Sequence, residues 1–139
     1  MRTTLAIAFT ALITASGVPA FAASYEEAKA DAVPPTTGEA MASCAHRWDT
    51  WARSLNPNHF GEGKGIWDES WLAKRHPDIQ LPAARETADY WTAKSKEQYK
   101  AEGNPGGYDA FKANATNWDI EMLDNRIFYE WLGACARPG

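Results

Sequence analysis

The chain is 139 residues long, is 45% hydrophobic and 23% charged, and has a formal net charge of −4 at pH 7. This length suits one domain rather than two. An acidic balance without any run of lysine or arginine is a poor match for nucleic acid or for an anionic membrane surface, so neither is an expected partner.

The N-terminal segment has the three regions of a secretory signal peptide. Arg2 provides a positive charge, an apolar run follows, and Ala20, Phe21 and Ala22 form a small-x-small cleavage triplet. The apolar run is too short to cross a bilayer and no second run follows, so no membrane insertion is expected after cleavage. We predict that residues 1–22 are a signal peptide, cleaved after Ala22, and that the protein is exported to the periplasm or the extracellular space.

Residues 23–35 are predicted to form a short helix followed by a proline linker. Ser24 and Glu27 are spaced as a capping box, and two prolines after Val33 end the helix. The remaining residues, 36–139, are predicted to form a single helical domain.

That domain is predicted to open on a clear amphipathic helix. Thr36 and Glu39 form a second capping box. One apolar sector of the helical wheel holds seven residues, namely Met41, Cys44, Ala45, Trp48, Trp51, Ala52 and Leu55. Asp49 and Arg53 lie outside this sector and are spaced to pair.

Two further helices are predicted before the chain breaks at residues 103–107. Asp68 caps a short helix over residues 69–76, and Pro77 prevents its continuation. Pro82 stands at the first position of the next helix. The inward face of that helix is small and weakly apolar, and it consists of Ala84, Ala88, Trp91, Ser95 and Tyr99. We therefore expect this helix at the periphery of the domain or against a partner.

The last helix is predicted to run from Asp109 to Ala136 with two apolar stripes. One stripe contains Ile120, Leu123, Ile127, Trp131 and Ala134, and the other contains Phe111, Trp118, Met122 and Tyr129. A helix with two apolar faces is typical of the middle of a bundle. Because no strand alternation is present, the fold class is predicted to be all-α, as a small irregular bundle of three to five helices.

The cysteines predict a covalent link within this bundle. Cys44 and Cys135 are the two cysteines of the chain, and in an exported protein an even pair predicts a disulfide rather than two free thiols. This disulfide would staple the first long helix to the last. Neither cysteine belongs to a C-x-x-C or C-x-x-C-H motif, so thioredoxin-like redox chemistry and covalent haem attachment lose their main support.

Tryptophan is in excess, with seven residues. Four of them lie on predicted core faces, namely Trp48, Trp51, Trp91 and Trp131. Trp67 and Trp71 are four residues apart beside a glycine-rich loop, where exposed indoles would bind a partner. The alternative is that these two side chains fold back as a lid over the core, because small domains need large apolar groups to close.

No metal or cofactor site is predicted. The loop over residues 56–61 matches a calcium loop in part, but Phe60 occupies a ligand position and Trp67 replaces the bidentate glutamate. The three histidines, His46, His59 and His76, have no metal-ligand spacing. We interpret His46 as a solvated helix residue and His76 as a partner for the C-terminal dipole of its helix.

Asp124 breaks the pattern of its helix. It projects into the sector of Ile127 and Trp131, where a carboxylate needs a partner or a shifted pKa. One interpretation is structural, either a salt bridge to Arg47 or Arg53 or a cap on a neighbouring helix. The other is a functional carboxylate in a cleft.

The chain has no G-x-S-x-G motif, and no nucleophilic cysteine once the two cysteines are paired, so we expect a non-enzymatic protein. The leading prediction is an exported helical protein that binds a protein or a glycan through the aromatic surface at Trp67 and Trp71, with Asp124 as a further binding candidate. One alternative is a small hydrolase or lyase that acts through carboxylates, Asp124 first among them. The other is a carrier for an apolar ligand held between thinly packed helices.

Overall fold

The computed structural model describes residues 20–55, 76–115 and 125–139, and these ranges contain five α-helices. The helices are α1 (Ala20–Ala30), α2 (Gly38–Leu55), α3 (Leu81–Ala101), α4 (Gly107–Asn114) and α5 (Asn125–Ala134). A 3₁₀ turn at Pro77–Ile79 precedes α3. The prediction of a small all-α bundle stapled by one disulfide is confirmed.

Helix α2 begins at a threonine cap. Thr37 Oγ1 accepts a hydrogen bond from the Ala40 amide at 3.2 Å, which places the cap one residue later than the predicted box at Thr36. A carboxylate oxygen of Glu102, beyond the C-terminal end of α3, accepts another hydrogen bond from the Gly38 amide at 2.9 Å. The first amides of a helix have no partner within it. In α2 one of them, that of Gly38, bonds to Glu102 and so links the start of α2 to the end of α3.

The predicted apolar sector of α2 is its buried face. Six of its residues are buried, namely Cys44, Ala45, Trp48, Trp51, Ala52 and Leu55, and Met41 packs against them. On the outer side Arg53 Nε lies 3.2 Å from a carboxylate oxygen of Asp49, the predicted ion pair, although without the alignment of a hydrogen bond. The 3.6-residue period therefore predicted correctly which side of α2 lies inside.

Helix α3 packs along α2 through its predicted inward face, and much of its other side is exposed. The five residues of its predicted inward face are all buried, namely Ala84, Ala88, Trp91, Ser95 and Tyr99. Small side chains on this face let the two backbones approach, and Ser95 Oγ donates a hydrogen bond to the Gly38 carbonyl of α2 at 2.7 Å. A small, weakly apolar face here indicates close helix packing and not a lack of neighbours.

Helix α1 packs against α5, and Gly133 allows their close approach. Tyr25 on α1 is 1% exposed. A Cβ atom at Gly133 would meet the backbone oxygen of Tyr25, and would lie 2.9 Å from Ala28 Cβ and 3.0 Å from the Lys29 amide nitrogen. The α1 segment, which the sequence suggests is separate from the domain after residue 36, therefore contributes to the same core.

The predicted continuous helix from Asp109 to Ala136 is wrong. Helix α4 ends at Asn114, and Ala115 has the extended backbone angles φ −65° and ψ 127°. Helix α5 then begins at Asn125. The predicted stripe residues Trp118, Ile120, Met122 and Leu123 lie outside the described residues.

Helix α5 is rotated relative to the predicted stripe. Phe128, Tyr129 and Leu132 are buried, whereas Ile127 is 43% exposed and Trp131 is half-buried. The predicted stripe assumes one uninterrupted helix. The extended backbone at Ala115 breaks that helix, so the 3.6-residue spacing cannot be counted across it into α5. The core-facing side of α5 could therefore not be read from residues that precede the interruption.

Cys44 and Cys135 form the predicted disulfide, with their Cα atoms 5.2 Å apart. The bond joins α2 to the residue that follows α5, across a sequence separation of 91 residues. Closing a loop of that length lowers the entropy of the unfolded chain by an equivalent of about 4–5 kcal/mol.

The backbone carbonyl of Cys135 links α2, α3 and α5. Trp48 Nε1 of α2 and Trp91 Nε1 of α3 both donate hydrogen bonds to this oxygen, each at 2.7 Å. Trp51 Nε1 donates to the Ile79 carbonyl in the 3₁₀ turn at 2.8 Å. Each of these buried indoles thus satisfies its N–H group at a carbonyl near the end of a helical segment, where intrahelical partners are absent.

We predict that Gly133→Ala destabilises the protein, because the added methyl meets the backbone of α1 and no side-chain rotation relieves the clash. Overpacking costs up to about 3 kcal/mol, and the higher helix propensity of alanine offsets about 1 kcal/mol of it. The expected net loss is about 2 kcal/mol in the free energy of unfolding, measured by chemical denaturation.

Gly106→Ala is the matched control, because nothing lies within 4 Å of a Cβ atom at that position and its φ of −90° suits alanine. Its free energy of unfolding should change by less than about 0.5 kcal/mol. If both variants are equally stable, α1 is not packed against α5 at Gly133.

Candidate functional site

The binding candidates taken from the sequence, Trp67, Trp71 and Asp124, lie outside the described residues, as does the loop at residues 56–61. The aromatic surface near the two tryptophans and the cleft around the aspartate therefore remain predictions.

The two arginines proposed as partners of Asp124 have other neighbours. Arg53 pairs with Asp49. The Arg47 guanidinium lies over the Trp131 ring at 5.1 Å, and its Nη1 lies 3.5 Å from Cys135 Sγ. Burial lowers the pKa of Arg47 from its ordinary value. Arg47 therefore covers the disulfide on the side of α5.

A groove of about 250 Å³ lies between α2, α3 and α4, and we call it the α2–α3–α4 groove. Buried alanines, among them Ala42 and Ala88, form its deeper part. Residues at helical spacing put polar groups on its walls. His46 and Asp49 come from α2, and Asp89, Thr92 and Lys96 come from α3.

Helix α4 closes the third side of this groove. Gly103 has a φ of +79°, a conformation that favours glycine, and it turns the chain back after α3. The returning helix adds two aromatic rings, Tyr108 and Phe111, and two charged residues, Asp109 and Lys112. The groove therefore has polar groups and aromatic rings on one concave surface.

Tyr108 is held in place by α3. Its hydroxyl lies 3.2 Å from Thr92 Oγ1, within hydrogen-bonding distance, and Lys96 Nζ lies 5.1 Å from the centre of its ring. Across the groove, the Phe111 ring meets His46 of α2 edge-on, with ring centres 6.4 Å apart. His46 is half-buried in this contact, so its interpretation as a simply solvated residue is incomplete.

The groove offers both donors and acceptors of hydrogen bonds. Its carboxylates accept, its lysines donate, and the tyrosine hydroxyl does both. Charges of both signs are present, so the lining does not select strongly for an ionic ligand. Such a lining, with aromatic rings beside it, suits a small polar molecule that has hydroxyl groups at its edge and an apolar face.

The sequence did not reveal this groove, because its residues come from three helices that are distant in the chain. Asp89, Lys96 and Tyr108 carry no recognisable motif. The available signal was the run of polar residues at helical spacing beside the buried face of α3, which reads as an ordinary solvent-exposed flank.

A second polar cluster joins α1 to the 3₁₀ turn. The Tyr25 hydroxyl donates to a carboxylate oxygen of Asp78 at 2.5 Å, and Lys29 Nζ donates to the same oxygen at 3.0 Å. Next to them His76 Nδ1 lies 3.1 Å from a Glu26 oxygen. His76 is buried and packs on the Tyr25 ring, and the predicted helix whose dipole it would partner lies outside the described residues.

Most polar atoms of this cluster have partners within it, although the buried His76 Nε2 has no hydrogen-bond partner among the described residues. Burial and the neighbouring carboxylates raise the pKa of Tyr25 above its usual range. Burial tends to raise the pKa of Asp78, but the hydrogen bonds from Tyr25 and Lys29 outweigh it and hold that pKa below its ordinary value. We therefore interpret the cluster as a structural link between α1 and the 3₁₀ turn.

Comparisons with known proteins give no match. No protein family, no curated protein and no solved structure matches this chain. Across the described ranges, no helix is both long enough and apolar enough to span a membrane. In the same ranges, no group of three or more His, Cys, Asp or Glu side chains is placed to hold a metal ion.

We predict that Asp78→Asn reduces the loss of stability on acidification. The carboxyl pKa is lower in the folded protein than in the unfolded chain, so its contribution is fully present above the unfolded value near 4 and is lost as pH falls through the folded value. The contribution is less than about 1 kcal/mol, because solvent screens a partly exposed ion pair. Urea denaturation at several values between about pH 5 and pH 2 measures it.

Glu97→Gln is the control for this measurement. Glu97 pairs with Lys94 at 3.1 Å on the surface of α3, and its side chain is 70% exposed. That variant should keep the pH dependence of the wild-type protein. Identical slopes for wild type and Asp78→Asn would show that the cluster does not stabilise the fold through its charge.

Proposed function

We propose that the protein is an exported, non-enzymatic helical protein that binds a saccharide in the α2–α3–α4 groove. The observation that carries this proposal is that carboxylates, lysines and two aromatic rings line one groove with a volume of about 250 Å³. Ligand pockets run from about 300 Å³ upward for drug-sized molecules. The groove is therefore suited to a single sugar unit or to the end of a longer chain.

The chemistry of a sugar ring fits this lining better than that of an ion or an apolar ligand. Its hydroxyls would meet Asp89 and Lys96 on α3, which accept and donate hydrogen bonds respectively. Its C–H face would lie against the Tyr108 or Phe111 ring. The polar walls disfavour a purely apolar ligand, because each unpaired polar group would lose its hydration.

Two features support export as part of the proposal. The N-terminal pattern is that of a signal peptide. The Cys44–Cys135 disulfide is typical of an oxidising compartment.

The two alternatives receive different support. Three aspartates, Asp49, Asp89 and Asp109, line the groove, and carboxylates on opposite sides of a sugar are the groups that hydrolyse glycosides. A hydrolase is therefore the second candidate function. The carrier hypothesis depends on a thinly packed third helix. It loses this support because the inward face of α3 is buried against α2.

We predict that Asp89→Asn weakens saccharide binding about tenfold or more, because a hydrogen bond to a charged acceptor contributes about 1.5–3 kcal/mol. The assay titrates purified protein with a panel of neutral mono- and disaccharides and follows amide resonances by NMR. In the wild-type protein, the shifted resonances should include those of Tyr108 and Phe111.

Glu86→Gln is the matched control, since Glu86 is an exposed carboxylate on the same helix and does not line the groove. It should bind as the wild type does. Shifts that avoid the groove, or equal affinity for Asp89→Asn and wild type, would refute the proposed site. Release of monosaccharide from a disaccharide during the titration would instead favour the hydrolase.

A further inference from the structure

A second groove lies between α1 and α5, on the side away from the Asp78 cluster. It is open and has a volume of about 450 Å³. Small side chains, Ala28, Ala32 and Ala134, and the half-buried ring of Trp131 give it an apolar base. We call it the α1–α5 groove.

The charged residues of this groove have one sign. Among the described residues, Glu27 lines it from α1, Asp31 from the turn after α1 and Glu130 from α5, and no lysine or arginine is among its lining residues. The basic residues beside it have other partners, because Lys29 pairs with Asp78 and the Arg47 guanidinium lies over the Trp131 ring at 5.1 Å. The groove therefore has an apolar base with an acidic rim.

The Asp31 amide donates a hydrogen bond to the Glu27 carbonyl at 3.1 Å, so these two exposed residues lie one helical turn apart at the C-terminal end of α1. Like charges at this spacing destabilise a helix slightly. A cationic side chain placed between them would relieve this repulsion. The charge pattern thus favours a basic ligand over a neutral or acidic one.

The walls of the groove restrict the conformation of that ligand. Most of the wall is helical, and the backbone hydrogen bonds of α1 and α5 are made within each helix. Beyond α1, the Asp31 and Ala32 amides donate to the Glu27 and Lys29 carbonyls, and the two residues after Val33 are prolines without an N–H group. The groove therefore offers little free backbone to which an extended peptide could add as a strand. A segment that docks here must satisfy its own backbone groups, as a helix does. The small residues Ala28, Ala32 and Ala134 leave room for its apolar side chains.

We propose that the α1–α5 groove is a docking site for a basic amphipathic helix of a partner protein. The apolar stripe of that helix would lie on Ala28, Ala32 and Trp131, and its lysines or arginines would meet Glu27 and Asp31. Val33, which is 83% exposed and lines the end of the groove, extends the apolar contact. This inference does not depend on saccharide binding in the α2–α3–α4 groove.

The test uses a synthetic amphipathic helix of leucine and lysine, and a matched peptide in which glutamate replaces lysine. Purified protein should bind the lysine peptide, should not bind the glutamate peptide, and should bind more weakly as salt is raised. The double variant Glu27→Gln with Asp31→Asn should bind the lysine peptide roughly tenfold more weakly, because two exposed charge pairs are lost.

Two controls exclude a general attraction between opposite charges. Glu39→Gln with Glu86→Gln removes the same charge from exposed positions of α2 and α3, and should retain wild-type affinity. Ala134→Arg, which adds bulk and positive charge inside the groove, should abolish binding, whereas Ala113→Arg on the exposed surface of α4 should not.

Equal affinity of the wild type and the Glu27, Asp31 double variant would overturn the proposal, and so would equal losses in the control pair. Tighter binding of the glutamate peptide than of the lysine peptide would also overturn the proposal. Sedimentation at several protein concentrations tests the other occupant, a second copy of this chain. If the lysine peptide binds only by dissociating a dimer, the groove is a self-association surface and the proposal is wrong.

Discussion

The fold depends on the hydrogen bonds accepted by one buried carbonyl, that of Cys135. Its oxygen receives the indole N–H groups of Trp48 and Trp91, each at 2.7 Å, and its side chain is bonded to Cys44. The residue is 2% exposed, so water does not compete for these bonds. A carbonyl has two lone pairs, and both are used here to connect different helices. The pairs α2–α3 and α1–α5 are therefore joined where α5 ends.

The packing of these helices leaves two concave surfaces. On one side, α4 lies across α2 and α3 and encloses the groove that holds Asp89 and Tyr108. On the other side, α1 approaches α5 closely at Gly133, and the helices leave an open groove beside that contact. The grooves differ in chemistry, because the charged residues described in one are of both signs and those described in the other are all acidic.

Sequence patterns predicted the parts of this fold that depend on local periodicity and on cysteine pairing. They identified the buried face of α2, the buried face of α3 and the disulfide. They failed where the backbone leaves the helical conformation, as at Ala115. Its extended conformation separates α4 from α5, and different residues of α5 are therefore buried than a continuous helix would bury. The acceptor for Trp48 and Trp91 was also unpredictable, because it is a backbone atom near the far end of the chain. The α2–α3–α4 groove was not predicted for a related reason, because its residues become neighbours only after three helices have packed together.

The most direct test of the account is a double-mutant cycle on Trp48→Phe and Trp91→Phe, measured by chemical denaturation. Either single variant leaves the Cys135 carbonyl with one donor, whereas the double variant leaves a buried acceptor without a partner, at an added cost of about 1–3 kcal/mol. The account predicts that the double variant loses more stability than the sum of the single losses. A cycle of Trp51→Phe with Trp91→Phe, whose indoles bond different carbonyls, should lack this excess. Strict additivity in the Trp48 and Trp91 cycle would contradict the claim that one carbonyl links these helices.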